Sequence, residues 1–143
     1  MSKLCERLKE LMDERGWNQV ALAEKSNVQH TNVSDFLSGK HSPSYTNLVK
    51  LVYAFDCSAD YLLGNDEMHT EETLYPVLPF DKRFRAILKE QNVSQERLKK
   101  ELPVSASVLY KWLSGKNQPT AEILLNLAKY LECSVDYLLG RRR

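Results

Sequence analysis

The sequence predicts an all-α fold made of two tandem copies of a five-helix domain. The first observation is an internal repeat, because residues 7–64 align without a gap with residues 83–140 and roughly a third of the paired positions are identical. The second is helical periodicity in each copy, with apolar residues at i, i+3 and i+4 and no alternating strand pattern. The third is a Ser, Thr or Asn placed to cap most of the predicted helices.

The first copy, residues 1–64, contains five predicted helices. Leucines at helical spacing predict a first helix over residues 2–15, and Gly16 follows where a left-handed residue commonly ends a helix. A tight turn at residues 26–28 separates the second helix from the third, which has one apolar side and one short polar side. The predicted caps in this copy are Asn18 before the second helix, Ser44 before the fourth and Ser58 before the fifth.

The second copy, residues 83–143, repeats this plan and ends in a basic tail, Arg141–Arg143, that is either solvated or free to touch phosphates. In its turn between the second and third helices, Pro103 takes the place of Asn27. Because proline cannot adopt a positive φ, we expect this turn to differ from that of the first copy. The predicted caps are Ser94, Ser105, Thr120 and Ser134, before the second to the fifth helix in order.

Residues 65–82 form a predicted linker that is acidic at first and then contains prolines. Pro76 and Pro79 exclude a continuous helix and favour extended backbone. A segment of this length spans at most about 60 Å. The apolar residues between Leu74 and Phe80 predict that part of the linker packs on a domain.

The net charge of +1 is unevenly distributed along the chain. Residues 1–64 carry −1, residues 65–82 carry −4 and residues 83–143 carry +6. The second copy is therefore the more attractive one for a polyanion.

Composition excludes several classes of protein. No apolar run approaches the length of a membrane span, and the first residues lack the apolar core of a signal peptide, so we expect a cytoplasmic protein without membrane contact. Three cysteines without CxxC spacing indicate neither a disulfide framework nor a zinc site. We predict no metal, no cofactor and no small-molecule ligand.

Several motifs occur in both copies and together cover nearly the whole chain apart from the linker. A Gln opens the second helix, a Leu follows three residues later, a Leu-Ser-Gly-Lys block precedes a Pro, and each copy ends in Ser-x-Asp-Tyr-Leu-Leu-Gly. With these motifs each copy resembles the lambda-repressor/Cro-like helix-turn-helix domain of the XRE family of transcriptional regulators. The resemblance implies a third helix that docks in the major groove of double-stranded DNA.

The resemblance also implies which residues contact DNA. The predicted base-contacting residues are His30, Thr31, Ser34 and Asp35 in the first copy and Ser107, Tyr110 and Lys111 in the second. The predicted phosphate-contacting residues are Gln19 and Lys40 in the first copy and Gln95 and Lys116 in the second. Asp35 repels phosphates where Lys111 can donate to guanine, so we predict that the second copy is the main reader.

These features predict a sequence-specific transcriptional regulator of the nucleoid, acting as a repressor. The first copy either reads a second half-site or mediates dimerisation. Half-sites one DNA turn apart require about 34 Å between reading helices, a distance the linker can span, so the two copies can act as an intramolecular pseudo-dimer. The resemblance implies, as the alternative, a homodimer that often pairs through the last helix.

Two other functional classes are alternatives to DNA binding. The acidic residues of the first copy and the linker favour a protein-interaction module, an antirepressor-like partner of another regulator that keeps the fold without DNA affinity. Steep salt dependence would distinguish DNA binding from such a contact. We do not expect an enzyme, because the three histidines are scattered and neither a nucleophile–base spacing nor a Gly-rich phosphate loop occurs.

Overall fold

The computed structural model of the chain describes residues 3–66 and 74–142. Ten α-helices lie in these two ranges, five in each copy, and no residue within them forms a strand. The all-α fold predicted from the sequence is therefore confirmed. The helices are α1 (Lys3–Arg15), α2 (Gln19–Ser26), α3 (His30–Ser38), α4 (Tyr45–Phe55), α5 (Ala59–Leu62), α6 (Phe80–Gln91), α7 (Gln95–Glu101), α8 (Ala106–Ser114), α9 (Ala121–Tyr130) and α10 (Val135–Leu138).

Side-chain caps begin seven of these helices, and all seven are the predicted ones. In each case the cap oxygen accepts a hydrogen bond from the backbone N–H three residues later, which satisfies a donor that has no partner inside the helix. The helices α3 and α6 are different, because Gln29 and Pro79 at their starts make no such bond. The seven caps are Asn18, Ser44, Ser58, Ser94, Ser105, Thr120 and Ser134.

Equivalent apolar residues form the core of each copy. Five pairs of residues at matching positions are at most 1% exposed. They are Leu8 and Phe84, Leu22 and Leu98, Val33 and Leu109, Leu48 and Leu124, and Phe55 and Leu131. Full burial of such a side chain contributes about 1.5–3 kcal/mol to folding. The core therefore fixes the position of each third helix.

The remaining aromatic and thiol side chains identified in the sequence belong to this core or to its edge. Trp112 is buried, and Trp17 stacks on Phe55 with ring centroids 5.3 Å apart. Burial raises the pKa of the Cys57 thiol to about 12. Cys57 is therefore a small core residue and not a reactive one.

The turn between α7 and α8 differs from its counterpart, as Pro103 predicts. In the first copy α2 runs to Ser26, and Asn27 turns the chain with φ of 60°. In the second copy α7 ends one position earlier in the repeat, and Leu102 is extended with φ of −99°. The helices α7 and α8 also approach each other less closely than α2 and α3 do.

Part of the predicted linker packs against both copies. The helix α6 begins at Phe80, three residues before the position at which the sequence places the second copy, and Phe80 is buried in the core. Before it, the Val77 N–H donates to the Tyr53 hydroxyl at 2.8 Å, and the Leu78 N–H donates to the Leu139 carbonyl at 3.0 Å. The acidic part of the linker, residues 67–73, lies outside the described residues.

The start of the basic tail is neither solvated nor free to touch phosphates, which corrects the sequence expectation. Arg141 is 4% exposed, and its guanidinium donates to the Cys57 carbonyl at 2.8 Å and to the Tyr75 carbonyl at 3.3 Å. Arg142 lies 3.7 Å from a carboxylate oxygen of Asp66. The guanidinium groups of these two residues therefore contact partners within the chain.

Two features are absent from the described residues. None of their helices is long and apolar enough to span a membrane. Within the same two ranges, no group of three or more His, Cys, Asp or Glu residues is arranged to hold a metal ion.

Candidate nucleic-acid interface

The helix α3 presents a polar face because its apolar face is fixed in the core. Val33, Phe36 and Leu37 are buried against α1 and α2. On the opposite side, the predicted base-contacting residues His30, Thr31 and Ser34 are exposed and Asp35 is half-buried. The helix ends at Gly39, whose φ of 77° turns the chain sharply and leaves Lys40 exposed just beyond it.

The carboxylate of Asp35 faces an imidazole at the end of this helix. Nε2 of His41 lies 3.9 Å from Oδ2 of Asp35, and the Lys40 N–H donates to the Asp35 carbonyl at 3.0 Å. Lys40, which follows α3, is the basic residue that the resemblance assigns to phosphate. The outer face of α3 thus combines a carboxylate with hydroxyls and imidazoles.

A groove beside α3 brings a predicted phosphate-contacting residue to a predicted base-contacting one. Asn18 caps α2 by accepting from the Ala21 N–H at 2.9 Å, which leaves the Gln19 side chain exposed at the helix start. The groove is mixed in character, because its amides and hydroxyls share the lining with Met12, Trp17 and Leu37. Its lining includes Lys9, Trp17, Asn18, Gln19, Ser34 and Ser38.

The helix α8 presents a basic and aromatic face. Leu109, Trp112 and Leu113 hold its inner side in the core. Its outer side exposes the predicted base-contacting residues Ser107, Tyr110 and Lys111, with Tyr110 60% exposed. A phenol and an ammonium at this position can contact bases and phosphates directly.

Lys116 lies over the outer face of α8. Its Nζ is 5.4 Å from the centroid of the Tyr110 ring, a cation–π contact that restrains both side chains. The Lys116 N–H donates to the Lys111 carbonyl at 3.0 Å, so the turn after α8 folds back on the helix. Tyr110, Lys111 and Lys116 therefore form one cationic patch, which we call the α8 patch.

Two contacts set the orientation of α8. Ser105 caps its start by accepting from the Val108 N–H at 3.2 Å. At its end, Nε of Arg85 donates to the Leu113 carbonyl at 2.7 Å, where a cation is favoured by the helix dipole. The α8 patch is therefore carried by a helix fixed at both ends.

Gln95 is exposed at the first position of α7. Ser94 caps this helix by accepting from the Arg97 N–H at 3.1 Å. Nε of Arg97 donates to Glu101 at 3.0 Å, and the Tyr130 hydroxyl donates to the same carboxylate. Glu101 therefore balances one positive charge of α7 and ties this helix to α9.

All eleven predicted contact residues lie within the described ranges, and ten of them are exposed. Asp35 is the half-buried exception. Gln19 and Ser34 line the same groove, and Lys116 lies against the Tyr110 ring. Their roles toward DNA remain predictions.

Sequence reasoning missed three buried charged residues that join the two copies, Asp60, Asp136 and Arg141. Asp60 and Asp136 are fully buried, and each carboxylate accepts hydrogen bonds from the start of the other copy's last helix. The available signal was the identical Asp at equivalent positions in two otherwise apolar endings. An acidic residue retained in a buried motif indicates a specific partner.

Comparison with protein families adds an independent finding. A family model described as helix-turn-helix matches the chain twice, at residues 8–62 and 84–138. Each match runs from the first helix of one copy into its last helix. Together the two matches cover well over half of the chain.

Three curated proteins are each similar to a stretch of this chain about as long as one copy. The HTH-type transcriptional regulator ImmR of Bacillus subtilis is 38% identical over 65 residues, which are 46% of this chain and 51% of ImmR. The HTH-type transcriptional activator BcrR of Enterococcus faecalis is 32% identical over 63 residues, or 44% of this chain and 31% of BcrR. The Repressor protein C2 of Salmonella phage P22 is 40% identical over 57 residues, or 40% of this chain and 26% of C2.

The alignments thus span about half of the length of these relatives or less. The family and the three regulators agree with the prediction that the chain is not an enzyme. Both matched regions carry the capped helices and exposed third helix described above. With a family match over each of its two copies, the chain belongs to the lambda-repressor/Cro-like, XRE-type helix-turn-helix family as a tandem repeat.

Proposed function

We propose that this protein binds double-stranded DNA sequence-specifically and regulates transcription at the nucleoid, with its third helices in the major groove. The observation that carries the proposal is the α8 patch, a basic and aromatic surface on a helix held at both ends. A major groove about 12 Å wide admits one α-helix, whose outward side chains then reach base edges. The names of the three relatives describe one as a regulator, one as an activator and one as a repressor. They support a role in transcription.

The second copy is proposed as the main reader. Lys111 can donate to O6 and N7 of guanine, whereas Asp35 at the equivalent position can only accept, most favourably from cytosine N4 or adenine N6. Lys116 adds a phosphate contact beside it. The charge difference, +6 for residues 83–143 against −1 for residues 1–64, supports the same assignment even with Arg141 and Arg142 engaged within the chain.

Repression is the mode of regulation proposed. It requires only that the protein occupy DNA needed by RNA polymerase, which two reading helices can achieve. Activation would require a further contact with the transcription machinery. Repression by occupancy therefore requires fewer contacts than activation does.

One observation favours a second candidate function, a protein-interaction module. The reading face of the first copy has a carboxylate, Asp35, where phosphates would approach, and that copy has a net charge of −1. A partner with a basic surface would complement the charge of this face. An antirepressor-like protein would use the first copy in this way.

Selection of a randomised duplex pool, followed by binding at 50 and 200 mM salt, tests the proposal. We expect an enriched motif whose affinity falls about 10-fold to 1,000-fold between the two salt concentrations, because several phosphate contacts release counterions. A Lys129→Ala variant, changed on an exposed residue outside the α8 patch, is the control and should bind like the unchanged protein. Absence of any enriched motif, with negligible retention at 50 mM salt, would favour the protein-interaction module instead.

A further inference from the structure

The contact between the two copies is made by equivalent residues on each side. The Asp136 carboxylate accepts from the Ala59 and Asp60 N–H groups, both at 2.9 Å. The Asp60 carboxylate accepts from the Val135 and Asp136 N–H groups, both at 2.8 Å. Ala59 matches Val135 and Asp60 matches Asp136 in the repeat. When residue i of one unit contacts residue j of the other, and j likewise contacts i, the units are related by a local two-fold axis.

The grooves on either side of this contact repeat the same relation. One groove lies between the turn after α3, at Gly39 and Ser42, and the start of α9, at Ala121 and Glu122. The other lies between the turn after α8, at Gly115 and Gln118, and the start of α4, at Tyr45 and Thr46. Each residue of one set occupies the repeat position of a residue in the other. The two-fold relation therefore extends beyond α5 and α10 to the turns that end the reading helices.

Several further contacts within the chain also hold the two copies together. The Ala121 N–H donates to the Pro43 carbonyl at 3.0 Å. The guanidinium of Arg141, 5.5 Å from the Tyr53 ring centroid, donates to the Cys57 carbonyl. The segment before α6 adds the bond from Val77 to the Tyr53 hydroxyl. Seven of the eight residues of α5 and α10 are buried, so these last helices offer little surface to a second molecule.

The two reading faces related by this axis are chemically different. The polar positions of α3 carry Thr31, Ser34 and Asp35, and the matching positions of α8 carry Ser107, Tyr110 and Lys111. A two-fold rotation preserves direction along its axis, so both faces are presented at the same height along it. The symmetry of the scaffold is therefore combined with asymmetry in what each helix can recognise.

We propose that a single molecule of this protein reads one asymmetric, bipartite duplex site, made of two half-sites in inverted orientation that differ in sequence. This inference rests on the proposed function and specifies the DNA that it binds. The half-site under α8 contains the guanine that Lys111 contacts, and the half-site under α3 lacks an equivalent contact. Inverted orientation follows from the two-fold axis, since a tandem arrangement without such an axis would read a direct repeat.

The test is duplex selection combined with mass measurement of the complex. We expect a motif with two unlike halves in inverted orientation, and a complex that contains one 16.5 kDa chain per duplex. Selection is repeated with Lys111→Ala and, as the matched change on the other copy, Ser34→Ala. The first should weaken binding about 10-fold and relax base preference in one half only, and the second should relax preference only in the other half.

Three results would overturn the inference while leaving DNA binding intact. They are a palindromic motif occupied by two chains, two halves in direct orientation, and loss of preference in both halves from either single variant. A protein that retains no duplex would instead remove the proposed function itself, and this inference with it. The variants change exposed residues on the reading faces, so their folding is checked simply by thermal unfolding.

Discussion

At the scale of single residues, the two reading helices differ most at one matched position. Asp35 in α3 and Lys111 in α8 stand at the same place on equivalent helices but carry opposite charges. A carboxylate there faces the imidazole of His41, whereas the ammonium belongs to the α8 patch. Under the proposed function, this difference would give each copy its own preference among bases, which makes Lys111 the most informative residue to change.

Substitution of Lys111 and Lys116 should separate base reading from phosphate binding. Lys111→Ala should cost about 1–3 kcal/mol of binding free energy on the selected duplex and relax base preference at one position. Lys116→Ala should weaken binding nearly equally on all sequences and reduce the salt slope by about 1. Fluorescence anisotropy on the selected duplex and on single-base variants measures both. Equal losses on all duplexes for Lys111→Ala would remove it as a base reader.

Exposure of these side chains was predictable, whereas their contacts were not. Leu109, Trp112 and Leu113 at i, i+3 and i+4 determine which side of α8 is buried, so the opposite side had to be polar and exposed. The contact of Lys116 with the Tyr110 ring depends on side-chain rotamers after the turn at Gly115. No spacing in the sequence specifies those rotamers.

At the scale of elements, the helix starts were predictable because capping is local. A Ser, Thr or Asn needs only the N–H three residues later, and that distance is fixed by helix geometry. The start of α6 was not predictable in this way. Pro79 precedes it without a side-chain cap. Phe80 is the first helical residue because its ring packs on two other rings. These are Phe84, with ring centroids 5.2 Å apart, and Tyr45 of the other copy.

Removal of the cap on α8 should destabilise the second copy and weaken its docking. Ser105→Ala leaves the Val108 N–H without its partner, and we expect a loss of about 1 kcal/mol in the free energy of unfolding. Chemical denaturation monitored by Trp112 fluorescence measures the loss. Ser114→Ala, which removes an exposed hydroxyl at the other end of the same helix, is the matched control and should cost less. An unchanged midpoint for Ser105→Ala would contradict the role assigned to the cap.

At the scale of the whole molecule, buried charges join two domains that local patterns describe only separately. Asp60 and Asp136 are 76 residues apart, so their mutual capping of α5 and α10 depends on how the copies assemble. Periodicity places both residues in short helices but says nothing about a partner. Arg141 could be identified in the sequence only as part of a basic tail, yet it lies under the interface and donates to carbonyls there.

This interface should make stability depend on pH. Burial beside a second carboxyl raises the pKa of Asp136 to about 7, well above its ordinary value near 3.9 in an unfolded chain. Hydrogen bonds to Asp136, Asn65 and the backbone of α10 outweigh burial and hold the pKa of Asp60 below its ordinary value. The facing cation is Arg141, whose Nη1 is 3.6 Å from Oδ1 of Asp136. The folded protein therefore binds a proton that the unfolded chain releases between about pH 4 and pH 7.

The sign follows from that difference in proton binding. The contribution of Asp136 is fully present below its unfolded pKa and is lost as pH rises toward 7, so the free energy of unfolding should fall between pH 5 and pH 8 by an amount on the order of 2 kcal/mol. Asp60 acts in the opposite direction, but only at pH values below about 4. Urea denaturation across this range measures the trend. Asp136→Asn imitates the protonated acid and should flatten the fall in the free energy of unfolding with pH. The exposed control Glu14→Gln should leave that fall unchanged. An unchanged fall in Asp136→Asn would contradict the role assigned to Asp136.

The central claim is that both copies read one face of a single duplex, and hydroxyl-radical footprinting of the selected duplex tests it most directly. We expect two protected windows on the same face, centred about one helical turn, or 10 base pairs, apart, as two-fold-related helix-turn-helix pairs produce. With Lys111→Ala, protection should weaken in one window and persist in the other. A single protected window with the unchanged protein would show that only one copy contacts DNA, and would contradict the account.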